Sequence, residues 1–350
     1  MGWCEEWKPI FAMLAVNVAL AAMNTMIKSV IDEGMNRLVL ITLRQLVATL
    51  FMAPIAYFGE RKTRPKLTVE IFVYLFFSAM FGASLTQYLF FLGLKYTTAT
   101  FACAFLNMAP VLTFLLALPF RLETLNLKTK AGIAKLLGAI ICLTGAMVLT
   151  FYKGEALTNT SHQLVASEQQ QGHNAGYSTK QWILGSTAYL AGCLSWSSWF
   201  LIQSKVGKKY PALYSGTAMI FFLSFLQAAI LSLVTEKSFS VWALKRKLEI
   251  ITVIVSGIAG SGFGFLAMSW CVEKRGPVFT AAFTPLVQIM VAAIDFSILH
   301  EPLYLGSVLG SILVIAGLYF LLWGKTKEAR SSAAKTVEEN GEHQVQLQTV

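Results

Sequence analysis

Apolar runs of membrane-spanning length alternate with short polar loops along this chain. A helix needs about 20 mostly apolar residues to cross a bilayer. Ten runs meet that need, at roughly 10–31, 38–58, 71–94, 98–120 and 131–152, then 182–204, 213–234, 250–272, 278–299 and 305–324. The first run lacks a basic leader and a cleavage site, and its length suits a full span rather than a signal peptide. The pattern predicts an all-α integral membrane protein of ten transmembrane helices.

The pattern also repeats. Gly82 aligns with Gly260, Ala104 with Ala282, Phe105 with Phe283, Glu123 with Glu301, Leu125 with Leu303 and Leu127 with Leu305, without a gap. After a deletion in the second copy, Gly138 pairs with Gly310, Ile140 with Ile312, Gly145 with Gly317 and Lys153 with Lys325. Each copy holds five runs. An odd number of crossings turns the second copy upside down. Two inverted five-helix repeats are the architecture of carriers that open one central site to each membrane face in turn. The predicted division is a terminal segment 1–9, a first repeat 10–152, a linker loop 153–181, a second repeat 182–324 and a disordered tail 325–350.

Composition agrees with lipid as the solvent. Charged residues make up 13% of the chain, hydrophobic ones 56%, and the mean hydropathy is +0.61. A soluble domain carries about 25% charged residues. The net charge of +10 comes from residues in short loops, so it does not signal nucleic acid. Lys and Arg concentrate in the loops that share a side with residues 1–9, among them Arg61, Lys62, Arg64, Lys208, Lys209 and Lys325. The positive-inside rule then predicts that both termini are cytoplasmic. The linker carries a glycosylation sequon at Asn159, which this topology places on the far side.

Cysteine and histidine spacing predicts no metal site, no cofactor and no disulfide framework. No metalloprotease motif, nucleophile elbow or catalytic carboxylate pair falls inside a span, so the chain reads as no enzyme. A glycine run at 262–267 fits a dinucleotide fingerprint only superficially, because it lies inside a span.

Polar side chains inside hydrocarbon are costly and tend to face the bundle interior. The ninth run has the clearest stripe, with Thr280, Thr284, Gln288 and Asp295 at helical spacing. Asn17 and Asn24 share a face of the first run; Gln87 and Tyr88 lie in the third; Asn107 lies in the fourth. Trp196, Trp199 and Trp270 are candidate cavity walls, and also candidate interface anchors. Asn17, Asn24, Gln87, Tyr88, Asn107, Trp199, Thr284 and Gln288 form the predicted substrate-binding set, each amide having helix–helix hydrogen bonding as its alternative role. Pro110 and Pro285 are predicted kinks that free backbone carbonyls. Arg44 and Asp295 are candidates for an outer gate or charge pair, or for receiving an anionic or zwitterionic substrate. Lys28 and Lys135 are predicted to snorkel. Small residues at Ala134, Gly138, Gly306 and Gly310 predict either close packing of the fifth helix on the tenth or a homodimer seam.

Several motifs carry a family resemblance: Thr98-Ala99-Thr100-Phe101-Ala102, Phe105-Leu106-Asn107 with Pro110, Phe120-Arg121-Leu122-Glu123, Gly276-Pro277-Val278-Phe279, Phe283-Thr284-Pro285-Leu286, Glu301-Pro302-Leu303-Tyr304 and Leu322-Trp323-Gly324-Lys325. From Lys8 to Lys325 the chain resembles the plant nodulin-like, Walls-Are-Thin-related (UMAMIT) transporters of the drug/metabolite superfamily, built from two EamA domains. Leu43 departs from the Tyr often found before Arg44 in that family. The resemblance implies a ten-helix carrier of amino acids or, in some members, auxin, in the plasma or vacuolar membrane. It implies a substrate site among helices one, three, four, six, eight and nine. The partners expected are a small solute and the lipid bilayer. No carboxylate lies near mid-span, which favours facilitated movement over an obligatory proton relay. A nucleotide-sugar exchanger would need more basic residues in the cavity than Arg44 and Lys28. A solute-sensing receptor without turnover needs the same pocket as a carrier.

Overall fold

The computed structural model describes residues 3–97, 105–123, 126, 128–152, 179–235, 242–244, 246–298 and 305–348. Ten helical units run through them. They are α1 (Trp3–Asp32), α2 (Arg37–Glu60), α3 (Val69–Tyr96), α4 (Phe105–Ala117) and α5 (Lys130–Phe151). The second half supplies α6 (Thr179–Lys209), α7 (Leu213–Thr235), α8 (Lys247–Arg275), α9 in two pieces (Pro277–Ala282 and Thr284–Ile298) and α10 (Leu305–Gln348). The linker with Asn159, the residues 98–104 that open the predicted fourth span, and the side chain of Asp295 lie outside the described residues.

The helix contacts follow the repeat. Repeat partners α2 and α7 pack together, as do α5 and α10. Other contacts cross between the repeats: α1 packs on α8 and α9, and α6 packs on α3 and α4. Each first helix therefore fits into the opposite repeat. One apolar core spans both halves, from Val16 and Met13 through Trp199 and Phe200 to Phe265 and Phe283. Outside it, large apolar side chains face outward, such as Phe58, Val69, Ile230 and Tyr319. Water would penalise that surface, whereas lipid tails solvate it.

The α5–α10 contact is made backbone to backbone. A side chain on Gly138 would meet the Gly317 carbonyl at 2.7 Å, and one on Gly317 would meet the Gly138 carbonyl at 2.8 Å. Gly145 lies against Leu313 and Val314, and Gly324 against Ala131 and Lys135. Of the predicted small residues, Gly138 thus joins α5 to α10 within this chain, against Gly317.

Local chemistry sets the helix ends. Asn36 accepts from the Leu38 N–H at 2.9 Å and caps α2, and Thr129 Oγ1 accepts from the Gly132 N–H at 3.1 Å and caps α5. Glu60, from the end of α2, accepts from the N–H groups of Tyr214 and Ser215 at 3.0 and 2.7 Å. Its carboxylate satisfies the first turn of α7 and complements that helix dipole. Gly276 joins α8 to α9 alone, with φ +87°, a backbone state that side chains rarely adopt.

Two features depart from the sequence reading. α10 continues as a helix to Gln348, where a disordered tail was expected from 325 on. Oppositely charged residues such as Lys335 and Glu339 stand one turn apart there, a spacing that favours helix. Lys135 does not snorkel. It is 2% exposed and bonds Glu123 at 3.5 Å and Glu328.

Candidate functional site

The two proline-bearing helices are interrupted. α4 turns at Met108, two residues before Pro110, and α9 turns at Phe283, two before Pro285. Proline offers no N–H and its ring crowds the preceding turn, so regular bonding fails there. A side chain from the first helix of the opposite repeat covers each break. Asn17 Nδ2 on α1 donates to the Phe283 carbonyl at 3.2 Å. On α6, the Cys193 thiol donates to the Phe105 carbonyl and Ser197 Oγ to the Ala109 carbonyl at 3.3 Å. Phe105 and Phe283 are partners in the repeat alignment, so these are one contact made twice.

The third helix of each repeat is distorted at the same level. α3 widens to a π-helical turn at Met80–Ser84, and α8 does so at Ser256–Gly264. Such turns are rare and often mark functional sites. Gly82 and Gly260, also repeat partners, sit inside them. A side chain on Gly82 would collide with the Trp199 ring, and one on Gly260 with Met23 Sδ. Again the intruding residue belongs to the first helix of the other repeat.

Between the halves, Asn107 of α4 meets Gln288 of α9. Asn107 Nδ2 stands 2.6 Å from Gln288 Oε1 and 3.3 Å from Thr150 Oγ1 of α5. Asn107 is buried and Gln288 half-buried. Thr284 is half-buried one turn before Gln288, while Thr280 is buried and bonds back to the Gly276 carbonyl at 3.3 Å.

The other predicted site residues divide. Trp199 is wholly buried and stacks on Trp196, with ring centroids 4.9 Å apart, beside Phe200 and Phe265. It is a packed wall rather than an open one. Gln87 and Tyr88 are half-buried on α3. Arg44 is buried on α2, where its carbonyl lies against Gly257 at the head of the α8 π turn. Asn24 is exposed, unlike Asn17. At Asn17 this face of α1 meets α9 through the bond to the Phe283 carbonyl.

Two features went unselected by the sequence reading. Gln45 is wholly buried on α2 and donates from Nε2 to the Ala83 carbonyl at 3.5 Å. A charge cluster closes the end of the bundle where α1 begins. There Lys325 bonds Glu123 and, at 3.2 Å, the Arg275 carbonyl, and Lys135 bonds Glu123 and Glu328. Glu123 and Lys325 both have repeat partners of the same type, which is the signal that singles them out. On the same face exposed Lys209 pairs with Glu70, and that hydrogen bond pushes its ammonium pKa up. An apolar groove of about 460 Å³ lies between α1, α7 and α8, lined by Val16, Tyr214, Phe263 and Trp270 among others. It does not include the amide residues.

The chain matches the EamA-like transporter family over residues 7–151 and 183–323. It belongs to that family. Within it, the chain is similar to WAT1-related proteins of Arabidopsis thaliana. One is 47% identical, with 94% of this chain and 90% of the relative covered; another is 46% identical, with 96% and 92% covered. A third is 44% identical, with 94% and 90% covered. A solved crystal structure shares the fold at TM-score 0.67 and 15% identity, covering 89% of this chain and 97% of its own. As an EamA-like protein the chain is a multi-pass membrane transporter. Asn17 and Cys193 stand equally far from the repeat starts at 7 and 183, and so do Met23 and Trp199. The two halves thus make equivalent contacts at equivalent positions, with different side chains.

Proposed function

We propose that this protein is a secondary carrier that moves small organic solutes, foremost amino acids, by alternating access. The observation that carries this reading is the duplicated contact of Asn17 with Phe283 and of Cys193 with Phe105. Each break in a pore-side helix is held by the other repeat, so the halves can rock about a shared centre without unravelling either helix. Asn107 and Gln288 offer amide donors and acceptors between the halves, and such groups suit uncharged polar and zwitterionic solutes. Only Asp295 among the acidic residues falls well within a predicted span, near its end, so the transport is read as facilitative. Both termini are placed in the cytoplasm and the plasma membrane is the favoured location.

Purified protein in liposomes, given labelled amino acids and labelled indole-3-acetate with and without a pH gradient, tests this. Amino-acid flux insensitive to the gradient is the expected outcome. Flux of indole-3-acetate alone replaces the amino-acid reading with an auxin carrier. Binding without flux replaces it with a sensor.

A further inference from the structure

The first helix of each repeat closes on a charged side chain. Glu33 follows the last residue of α1, and Lys209 is the last residue of α6. Counted from the repeat starts at 7 and 183, the two hold the same position, as do Asn17 and Cys193. Each reaches the start of the third helix of the opposite repeat. Arg246 Nη1, at the head of α8, donates to Glu33 Oε2 at 2.7 Å and to the Glu33 carbonyl at 3.4 Å. Lys209 Nζ donates to Glu70 in the first turn of α3 and lies 4.9 Å from the Tyr74 ring centroid.

The geometry is repeated and the polarity is reversed. α1 brings the acid to one pair, and α6 brings the base to the other. Because α1 and α6 run in opposite directions across the bundle, the two pairs lie at opposite ends of it. One turn before each charge stands a buried valine, again at the same repeat position: Val30 is wholly buried and Val206 is buried. Val206 belongs to an apolar cluster with Ile71 and Leu75 of α3. α1 packs on the opening stretch of α8, Lys247–Val255. At each end an exposed ion pair thus caps a packed contact between the first helix of one repeat and the third helix of the other.

We infer that Glu33–Arg246 and Lys209–Glu70 are two latches, one at each face, that hold the repeats together and are released in turn. This rests on the carrier reading above. Rocking of one repeat against the other about a central contact spreads the helices at one face as it presses them together at the other. A pair that joins the repeats at one face therefore opposes opening at that face alone. Exposure suits the task. All four side chains are at least 40% exposed, and an exposed ion pair is weak enough to part in every cycle. A buried pair, such as that of Glu123, is costly to part.

The test is thiol labelling of the full chain in lipid nanodiscs, where a polar maleimide reaches both faces. Val30→Cys and Val206→Cys are the reporters, one for each face, read by mass spectrometry of the peptide that carries each. Glu33→Gln should speed the labelling of Val30→Cys by up to about fivefold, the range for an exposed ion pair, and slow that of Val206→Cys. Lys209→Gln should do the reverse. Arg246→Gln and Glu70→Gln remove the other member of each pair and should give the same two patterns, so neither latch depends on one variant folding. Charge exchange, Glu33→Arg with Arg246→Glu, should restore the wild-type rates. Unchanged rates in the four single variants overturn the latches. So does a rise confined to the nearer reporter, because that marks local fraying and not rocking. Wild-type protein that moves none of the labelled solutes into liposomes overturns the carrier reading instead. The labelling pattern needs no solute and decides the latches separately.

Discussion

The side-chain amides of Asn107 and Gln288 meet at 2.6 Å, joining the fourth helix of one repeat to the fourth helix of the other. The two residues are not repeat partners. Under the alignment Asn107 corresponds to Pro285, and Pro110 to Gln288. Each repeat thus carries one proline and one amide at these two positions, in opposite order. The fold is symmetric there, but its chemistry is not.

If this pair belongs to the transport path, Asn107→Leu and Gln288→Leu should each lower flux severalfold while protein level at the membrane stays unchanged. A neutral hydrogen bond contributes about 1 kcal/mol, roughly a fivefold effect. The double variant should be no worse than the single ones, because either change removes the same bond. Flux equal to wild type would take the pair out of the path.

Asn17 offers a test of sign. Its amide donates to the Phe283 carbonyl in a buried setting. Asn17→Leu removes the donor, and the carbonyl keeps its bond from the Leu286 N–H at 3.0 Å. That variant should fold nearly as well as wild type. Asn17→Asp sets a carboxylate against a carbonyl oxygen and should lower the melting temperature markedly. Equal melting of the two variants would mean that the contact is not held in the membrane.

Glu123 balances two lysines, and its side chain is 6% exposed. Glu123→Gln leaves Lys135 and Lys325 with Glu328 as their remaining carboxylate in the cluster. Loss of one member of a buried ion pair costs about 3–5 kcal/mol. Fluorescence-detected size exclusion after heating should show earlier loss of the folded peak. A charge exchange, Glu123→Lys with Lys325→Glu, should recover part of the loss.

Gly317 has no room for a side chain. A methyl group there would collide with the Cys142 backbone nitrogen and stand 2.8 Å from the Gly138 carbonyl. Overpacking of this kind costs about 1–3 kcal/mol. Gly317→Ala should lower thermal stability, whereas Gly59→Ala, with its nearest neighbour at 3.8 Å, should not.

The spans and the inverted repeat were legible because both are written in local pattern. Apolar runs of sufficient length have few alternatives to a membrane helix, and shared residues such as Phe105 and Phe283 expose the duplication. The proline breaks were legible for the same reason. Asn17 and Asn24 were not separable, since helical spacing assigns them one face and cannot say which of them another helix covers. Gln45 escaped notice because a buried amide in an apolar run looks alike whether it bonds a backbone carbonyl or a solute. The lysine at 135 looked like an interfacial residue because its partners, Glu123 and Glu328, arrive from another loop and another helix.

The sequence by itself determined the solvent, the helix count and the inversion of the second half. These follow from hydrophobic length, an odd number of crossings per repeat and the requirement that backbone groups be satisfied inside lipid. Only the tertiary structure decided which polar groups meet. A hydrogen bond from Asn17 to Phe283, or an ion pair of Glu33 with Arg246, depends on helices remote in sequence meeting at one depth. Single-helix periodicity carries no record of that meeting.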